Sequence, residues 1–390
     1  MEMSKIQQNQ PQILLKSFLP GILVLFSLTL WSQTSNSDFE RIKLNNPETE
    51  YTGIAMSPDN NTISISSEKS APVLIFDWNT QKITRQINAG SWNSGARISF
   101  SLSGKYLLLQ EIAFTNFSQN KDRSIHFDIV DVASGEMIKQ FDNVQDVVLS
   151  ADENQAICLA NDEVTFWNLN SAAKENSIKV EGVSNALAVS PDGKQLAVST
   201  EINPSEVKSR FGKDKKGMND AVKFKQMVAI YDIPLKAKIK TIDELYDIIY
   251  ELRYLPESEQ ITVFQTPEIH IQVQNSQRSY INLIDAVKFE PLRKGFTSMS
   301  LAQPDMKISN NHELFAINSK GNRFQEMHLY DYDTATLQKR FELAHRLFEK
   351  VDGEKMVNSS RPSFIFLPDN QSILVAMGNQ LIKWNIKLIP

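Results

Sequence analysis

Cysteine is almost missing from this chain: among 390 residues there is one, Cys158. A single thiol excludes an internal disulfide framework and any zinc cluster built on thiolates. Cys158 sits in the apolar run Ala156-Ile157-Cys158-Leu159-Ala160, where a buried, inert thiol is expected. An excess of positive charge is missing too. Lys and Arg number 41 against 46 Asp and Glu, giving a formal net charge of −5. Binding to duplex nucleic acid wants a basic face, so nucleic acid is not an expected partner. The sequence also lacks His-Glu-x-x-His, Gly-x-Ser-x-Gly and a phosphate-cradling loop; Gly90 to Gly95 has the gap of the last but continues Ala96-Arg97. The histidines, His126, His270, His312, His328 and His345, are scattered and show no ligand spacing. No catalytic residue, metal ligand or cofactor is therefore assigned. Asp331-Tyr332-Asp333 begins like a calcium loop but lacks its Gly and distal Glu, so turn chemistry is the better account.

Long apolar runs are scarce as well. Ser17 to Trp31 is almost uncharged, and as a helix its core Phe18–Trp31 would reach only about 21 Å at 1.5 Å per residue. A bilayer core is about 30 Å thick. Lys5 and Lys16 precede this run and the small, polar Ser32-Gln33-Thr34-Ser35 follow it. Residues 1–33 thus read as a secretory signal peptide, with cleavage expected near Ser32/Gln33 and a periplasmic or secreted location. Leu30 is a poor residue for the −3 position, which keeps a short uncleaved N-terminal anchor as the alternative. Only through such an anchor is a membrane expected as a partner.

What the sequence has in abundance is repetition. From Tyr51 onward, one unit recurs: an apolar run, a Ser/Pro/Asp/Asn/Gly turn, a second run, a third ending in Asp or Trp, another polar turn and a fourth run. The clearest copy is Ala186-Leu187-Ala188-Val189-Ser190-Pro191-Asp192-Gly193-Lys194-Gln195-Leu196-Ala197-Val198. Its turn is echoed by Ser57-Pro58-Asp59-Asn60, Ser101-Leu102-Ser103-Gly104, Ser150-Ala151-Asp152-Glu153, Leu255-Pro256-Glu257-Ser258, Ser309-Asn310-Asn311-His312 and Leu367-Pro368-Asp369-Asn370. Proline presets φ for such a turn, and Asp, Asn or Gly supplies side-chain bonds or positive φ. Seven copies start about 40 to 65 residues apart. Four short antiparallel strands per roughly 40–50-residue unit is the signature of propeller blades.

These turns, with third strands such as Phe127-Asp128-Ile129-Val130-Asp131 and Val164-Thr165-Phe166-Trp167-Asn168, resemble the WD-repeat family and its bacterial YVTN-like relatives of the Ser-Pro-Asp-Gly type. The resemblance covers residues 38–390 and implies an all-β, seven-bladed β-propeller forming one domain. The chain departs from the family in lacking the Gly-His dipeptide and most Trp-Asp pairs, and the fifth copy, near residues 250–283, matches least. The last copy offers three strands, ending at Leu381–Ile386. Asp38-Phe39-Glu40-Arg41-Ile42-Lys43-Leu44, upstream of the first copy, is the candidate for the missing outer strand, as in propellers that this sequence resembles. A monomeric ring closed by its own N-terminal segment is expected.

In propellers of this type, the turns joining strands one–two and three–four share one face; the two–three loops and blade connections share the other. The first set is short. The second carries the insertions Glu111–Arg123, Thr200–Gln226 and Asn318–Glu326 and the connections Ile284–Asp305 and Ala344–Arg361. Long loops in compact folds carry function or are disordered. Residues 201–225 hold seven basic and four acidic side chains. That excess suits an acidic partner, and a solvated mobile loop is the plainer reading. Trp92, flanked by Gly90, Ser91, Asn93 and Ser94, suits partner contact or a plug at the channel top. By contrast, Trp78, Trp167 and Trp384 fall on third strands, where packing between blades is expected. The candidate partner-binding residues are Trp92, Phe117, Arg123, Arg210, Lys213, Lys215, Lys216 and Arg323. The expected function is a non-catalytic platform that binds a protein or cell-envelope component. The alternative is a propeller enzyme, such as a metal-dependent lactonase-like hydrolase with its site at the central channel, since propellers host many activities.

Overall fold

The structure is a computed structural model. It describes residues 39–44, 49–68, 72–90, 92, 95–112, 125–182, 184–255, 259–266, 278–299, 305–320, 325–342, 350–351, 354–355 and 362–386. Residues 1–33, and with them the expected signal peptide, lie outside this set.

Four of the first turns are built by the residues that mark them in the sequence. Ser57, Ser150 and Ser190 each donate a hydroxyl hydrogen bond to the Asp two residues on, at 2.5, 2.6 and 2.6 Å. The same hydroxyls accept the amide N–H of Thr62, Gln155 and Gln195, the residues that open their second strands. Ser309 repeats this with Asn311 and Leu314. The turns joining third and fourth strands use one device: Asp77, Asp131, Asp232, Asp285 and Asp331 accept the amide of a residue three positions on. Asp331 is thus spent on turn chemistry, as the sequence suggests. Because the two devices set loop length, they also set register, and every strand pair within the blades is antiparallel.

Seven four-stranded sheets result, arranged as a seven-bladed β-propeller. The first, channel-side strands are Tyr51–Met56, Ala96–Phe100, Asp146–Leu149, Leu187–Val189, Ile248–Leu255, Met306–Ile308 and Ser363–Phe366. Blade seven takes its outer strand from Phe39–Lys43, which pairs antiparallel with Gln380–Asn385 from Phe39 opposite Trp384 to Lys43 opposite Gln380. Blade five differs from expectation. Residues 290–299, read from sequence as part of a blade connection, form its fourth strand, Glu290–Met299. Its Pro291, Arg293, Lys294 and Gly295 hide the apolar alternation that marks the other strands.

The core is not one mass but seven seams. Seven clusters of buried apolar side chains each join two neighbouring blades. Ile42 and Leu44 enter the seam between blades one and seven, so the N-terminal strand closes the ring by packing as well as by pairing. The indoles of Trp78, Trp167 and Trp384 pack at seams; Trp167 meets Phe141 edge-on at 5.9 Å and Trp384 stacks on Phe341 at 6.0 Å. Cys158 is buried in the seam of blades two and three, and burial pushes its thiol pKa up to about 12, the inert state expected.

The innermost strand of each blade has one edge without a ladder partner, and its amides need acceptors. Side chains of the preceding blade supply them. Asp146 accepts from Leu187 N at 3.0 Å, Asp305 from Phe364 N at 3.1 Å, Ser363 from Ile54 N at 3.2 Å and Gln226 from Ile249 N at 2.8 Å. These bonds fix neighbouring blades around the axis and thereby shape the channel.

Candidate functional site

Two places gather polar side chains: the segment between the second and third strands of blade four, and the channel. The first is residues 203–225. Instead of a loop, it forms two helices, α1 (Pro204–Phe211) and α2 (Lys215–Phe224). Both starts are written in the sequence. Asn203 accepts the amide of Ser205 and precedes a first-turn proline, and Asp214 accepts the amide of Gly217 at 2.9 Å. Gly212, with φ +53, turns the chain between them. Val207 and Ala221 are buried against Ile202 and Met227, with Phe211, Met218, Val222 and Leu245 packed around them. This small core orders the segment.

The charges of the helical pair are sorted. Arg210 binds Asp243, Nε to Oδ1 at 3.1 Å, and Lys225 binds Asp247 at 2.9 Å. Glu206 receives Lys238 at 3.1 Å. These pairs hold the helices to blade four and to the connection that follows it. Lys208, Lys213, Lys215 and Lys216 are exposed, and no anionic side chain among the described residues pairs with them. Of the sequence-derived candidates, Lys213 lies between α1 and α2, Lys215 and Lys216 open α2, and Arg210 acts as a tether. Trp92 requires a correction. Its ring is 1 % exposed, its Nε1 donates to the Ser67 carbonyl at 2.8 Å, and it packs in the seam of blades one and two. A side chain so enclosed offers no surface to a partner. Phe117, Arg123 and Arg323 lie outside the described residues.

The second place is a cavity of about 330 Å³ in the channel, lined by the innermost strands of blades two to six and by residues behind them, among them Glu111, Phe127 and Phe264. Asp305, at the start of blade six, is almost fully buried. Its Oδ2 accepts from Ser363 Oγ at 2.6 Å and lies 3.8 Å from Arg97 of blade two, and its Oδ1 is 3.3 Å from Lys307. Burial pushes this carboxyl pKa up, but the charges of Lys307 and Arg97 and the bonds from Ser363 and Phe364 outweigh it and hold it below the ordinary value. Asp305 is thus ionised at neutral pH. Glu251 and Arg253 of blade five pair with each other on the same wall. Among the described residues, no three His, Cys, Asp or Glu side chains converge as a metal site. Also among them, no helix is long and apolar enough to cross a membrane.

No protein-family model matches the chain, and no curated protein matches it. Solved structures do. The Kuenenia stuttgartiensis hydrazine synthase aligns at a TM-score of 0.55 and 16 % identity, over 92 % of this chain and 99 % of that chain. At that identity the likeness concerns the fold alone. The fold is a seven-bladed β-propeller.

Sequence reasoning missed the channel charges Arg97, Glu251, Arg253, Asp305 and Lys307. A signal for them was present. Glu251 and Asp305 stand four residues, and Arg253 and Lys307 two residues, before Leu255 and Ser309, which open the first turns of blades five and six. Alternation along a strand puts both positions on one face, here the channel face. The other blades carry mostly small or apolar residues at the second position: Ala55, Ser99, Val148, Ala188 and Ile365.

Proposed function

We propose that this protein is an exported, WD-repeat-like, non-catalytic platform that binds an acidic protein or cell-envelope component on its insertion-rich face. The observation that carries this reading is the sorting of charge on α1 and α2. Arg210, Lys225 and Glu206 are used to tether the element. Lys208, Lys213, Lys215 and Lys216 remain turned to solvent on a protein of net charge −5. A cationic element on an anionic body attracts an anionic partner and orients it, with a strength that falls as salt rises. Replacing residues 203–225 by a short Gly/Ser loop is expected to lower the thermal midpoint by a few degrees while leaving the ring folded, because the helical core is separate from the seven seams. It should abolish recovery of the partner from a periplasmic or secreted fraction, and a Lys→Glu change at 208, 213, 215 and 216 should do the same. Undiminished recovery with both variants refutes the platform.

The channel cavity supports a second reading, an enzyme acting there on a small polar substrate. Stoichiometric divalent metal in the purified full-length protein, together with lactone hydrolysis, would favour it over the platform.

A further inference from the structure

We propose that the channel cavity is a binding site for a small zwitterion, a molecule of α-amino-acid type carrying one ammonium and one carboxylate. The site is separate from α1 and α2, and the proposal does not depend on the platform reading.

The argument starts from two adjacent innermost strands with one pattern, acid-x-base: Glu251-Leu252-Arg253 and Asp305-Met306-Lys307. Both pairs occupy equivalent positions relative to their turns, and all four charged residues line the same cavity. Two levels of charge therefore lie along the channel, one mainly acidic and one basic. Asp146, Glu251 and Asp305 contribute carboxylates at the end of the strands next to the blade connections, with Arg97 among them. One step along the same face, Arg253 and Lys307 line the cavity from neighbouring blades. The opposite wall at that depth is Ser99, Val148 and Ala188, which leave room and offer no counter-charge.

Without a ligand, each base is held by the acid of its own strand: Arg253 by Glu251, and Lys307 by Asp305 at 3.3 Å. A net anion that drew Lys307 away would leave the nearly buried Asp305 carboxylate short of a partner, which is expensive, and one that drew Arg253 away would leave Glu251 unpaired. A zwitterion replaces the pairing one for one. Its carboxylate takes Arg253 and Lys307, its ammonium takes the carboxylate layer, and no charge is left over. A volume of about 330 Å³ is at the small end of ligand sites, which favours a compact molecule. The apolar contribution comes from Leu252, Tyr250 and Phe264 of blade five.

The test uses the full chain and a panel of L-amino acids, each beside its N-acetyl derivative, a net anion, and its methyl ester, a net cation. Calorimetric titration and the thermal midpoint are read for each. At least one amino acid is expected to bind and raise the midpoint while both of its derivatives bind about tenfold or more weakly, the loss that follows from removing one charged partner. Arg253→Gln and Lys307→Gln should each weaken the amino acid by a similar factor. Arg253→Lys should keep part of the affinity. A panel in which no amino acid binds, or derivatives that bind as well as the parent, overturns the proposal without any variant. Undiminished binding by folded Arg253→Gln and Lys307→Gln proteins overturns it too.

Discussion

At the turn between first and second strands, one residue in every blade takes a positive φ: Asn60, Gly104, Glu153, Gly193, Glu259, His312 and Asn370. The turns between third and fourth strands do the same at Gln81, Gly135, Ala172, Lys236, Phe289 and Ala335. Most of these residues carry a Cβ, which makes the left-handed conformation cost about 1–2 kcal/mol. Ala172 is the cleanest place to measure the effect, since it is exposed and makes no side-chain hydrogen bond. Ala172→Gly is expected to stabilise the protein by about 0.5 kcal/mol, the relief being partly offset by a more flexible unfolded chain. Ala172→Val should destabilise it by about 1–2 kcal/mol, because a β-branched side chain tolerates this conformation worst. Thermal or denaturant midpoints of the two variants check the sign. A second residue-scale prediction concerns His126, whose Nδ1 lies 2.6 Å from Asp142 and whose Nε2 lies 2.8 Å from the fully buried Asp128. The Glu111 carboxylate also bonds its backbone amide. Burial alone would lower the imidazole pKa, but the bond to Asp142 and the charge of Asp128 outweigh it and raise it above the ordinary value. Asp128 is raised as well, by burial more than His126 can offset. A raised folded pKa gives stability that is complete below about 6.5, the unfolded histidine value, and lost as pH climbs through the folded value. Asp128 acts in the same direction from a lower start, its contribution being complete only below about 3.9, the unfolded aspartate value. The thermal midpoint should therefore fall as pH rises from about 6.5 into the alkaline range, and His126→Gln should flatten that slope.

Among the elements, legibility followed periodicity and turn chemistry. Strands bounded by Ser-x-Asp and Asp-x-x-Thr turns could be read directly, because the side chains that name those turns also cap them. The fourth strand of blade five could not. It pairs with the third strand through backbone bonds, Tyr280 opposite Thr297 and Ile281 opposite Phe296, and its packing rests on Phe296, which stacks on Phe315 at 4.4 Å. Neither property shows in a run holding Pro291, Lys294 and Gly295. The helices α1 and α2 were hidden for another reason. Their apolar face is narrow, and its partners, Ile202, Met227 and Leu245, lie outside the segment. Helices of 8 and 10 residues are marginal alone, so tertiary contact decides whether they form. The caps Asn203 and Asp214 were the available signal. Trp92 shows the opposite case: flanking Gly and Asn suggested partner contact or a plug at the channel top, but its indole N–H and its apolar body found partners in a seam.

For the whole molecule, the closing strand is the feature on which the ring depends. Phe39–Lys43 covers the edge of Gln380–Asn385, and Ile42 and Leu44 fill the seam of blades one and seven. Deleting residues 39–44 removes two buried side chains worth about 1.5–3 kcal/mol each and leaves an unpaired edge. The deletion is expected to lower the thermal midpoint by several degrees and to promote self-association, measured by calorimetry and size exclusion. An unchanged midpoint would contradict closure. The sequence by itself determined the number of blades, the turns, and the strand that completes the ring, because these depend on local alternation and on side chains bonding within a few residues. Only the tertiary structure decided that residues 203–225 are helical, that Trp92 is enclosed, and that Glu251, Arg253, Asp305 and Lys307 share one cavity. Those outcomes depend on which blades become neighbours around the axis. Contacts between residues far apart in the chain set them, and the local signals, the helix caps and the acid-x-base pattern, do not say where the partners lie.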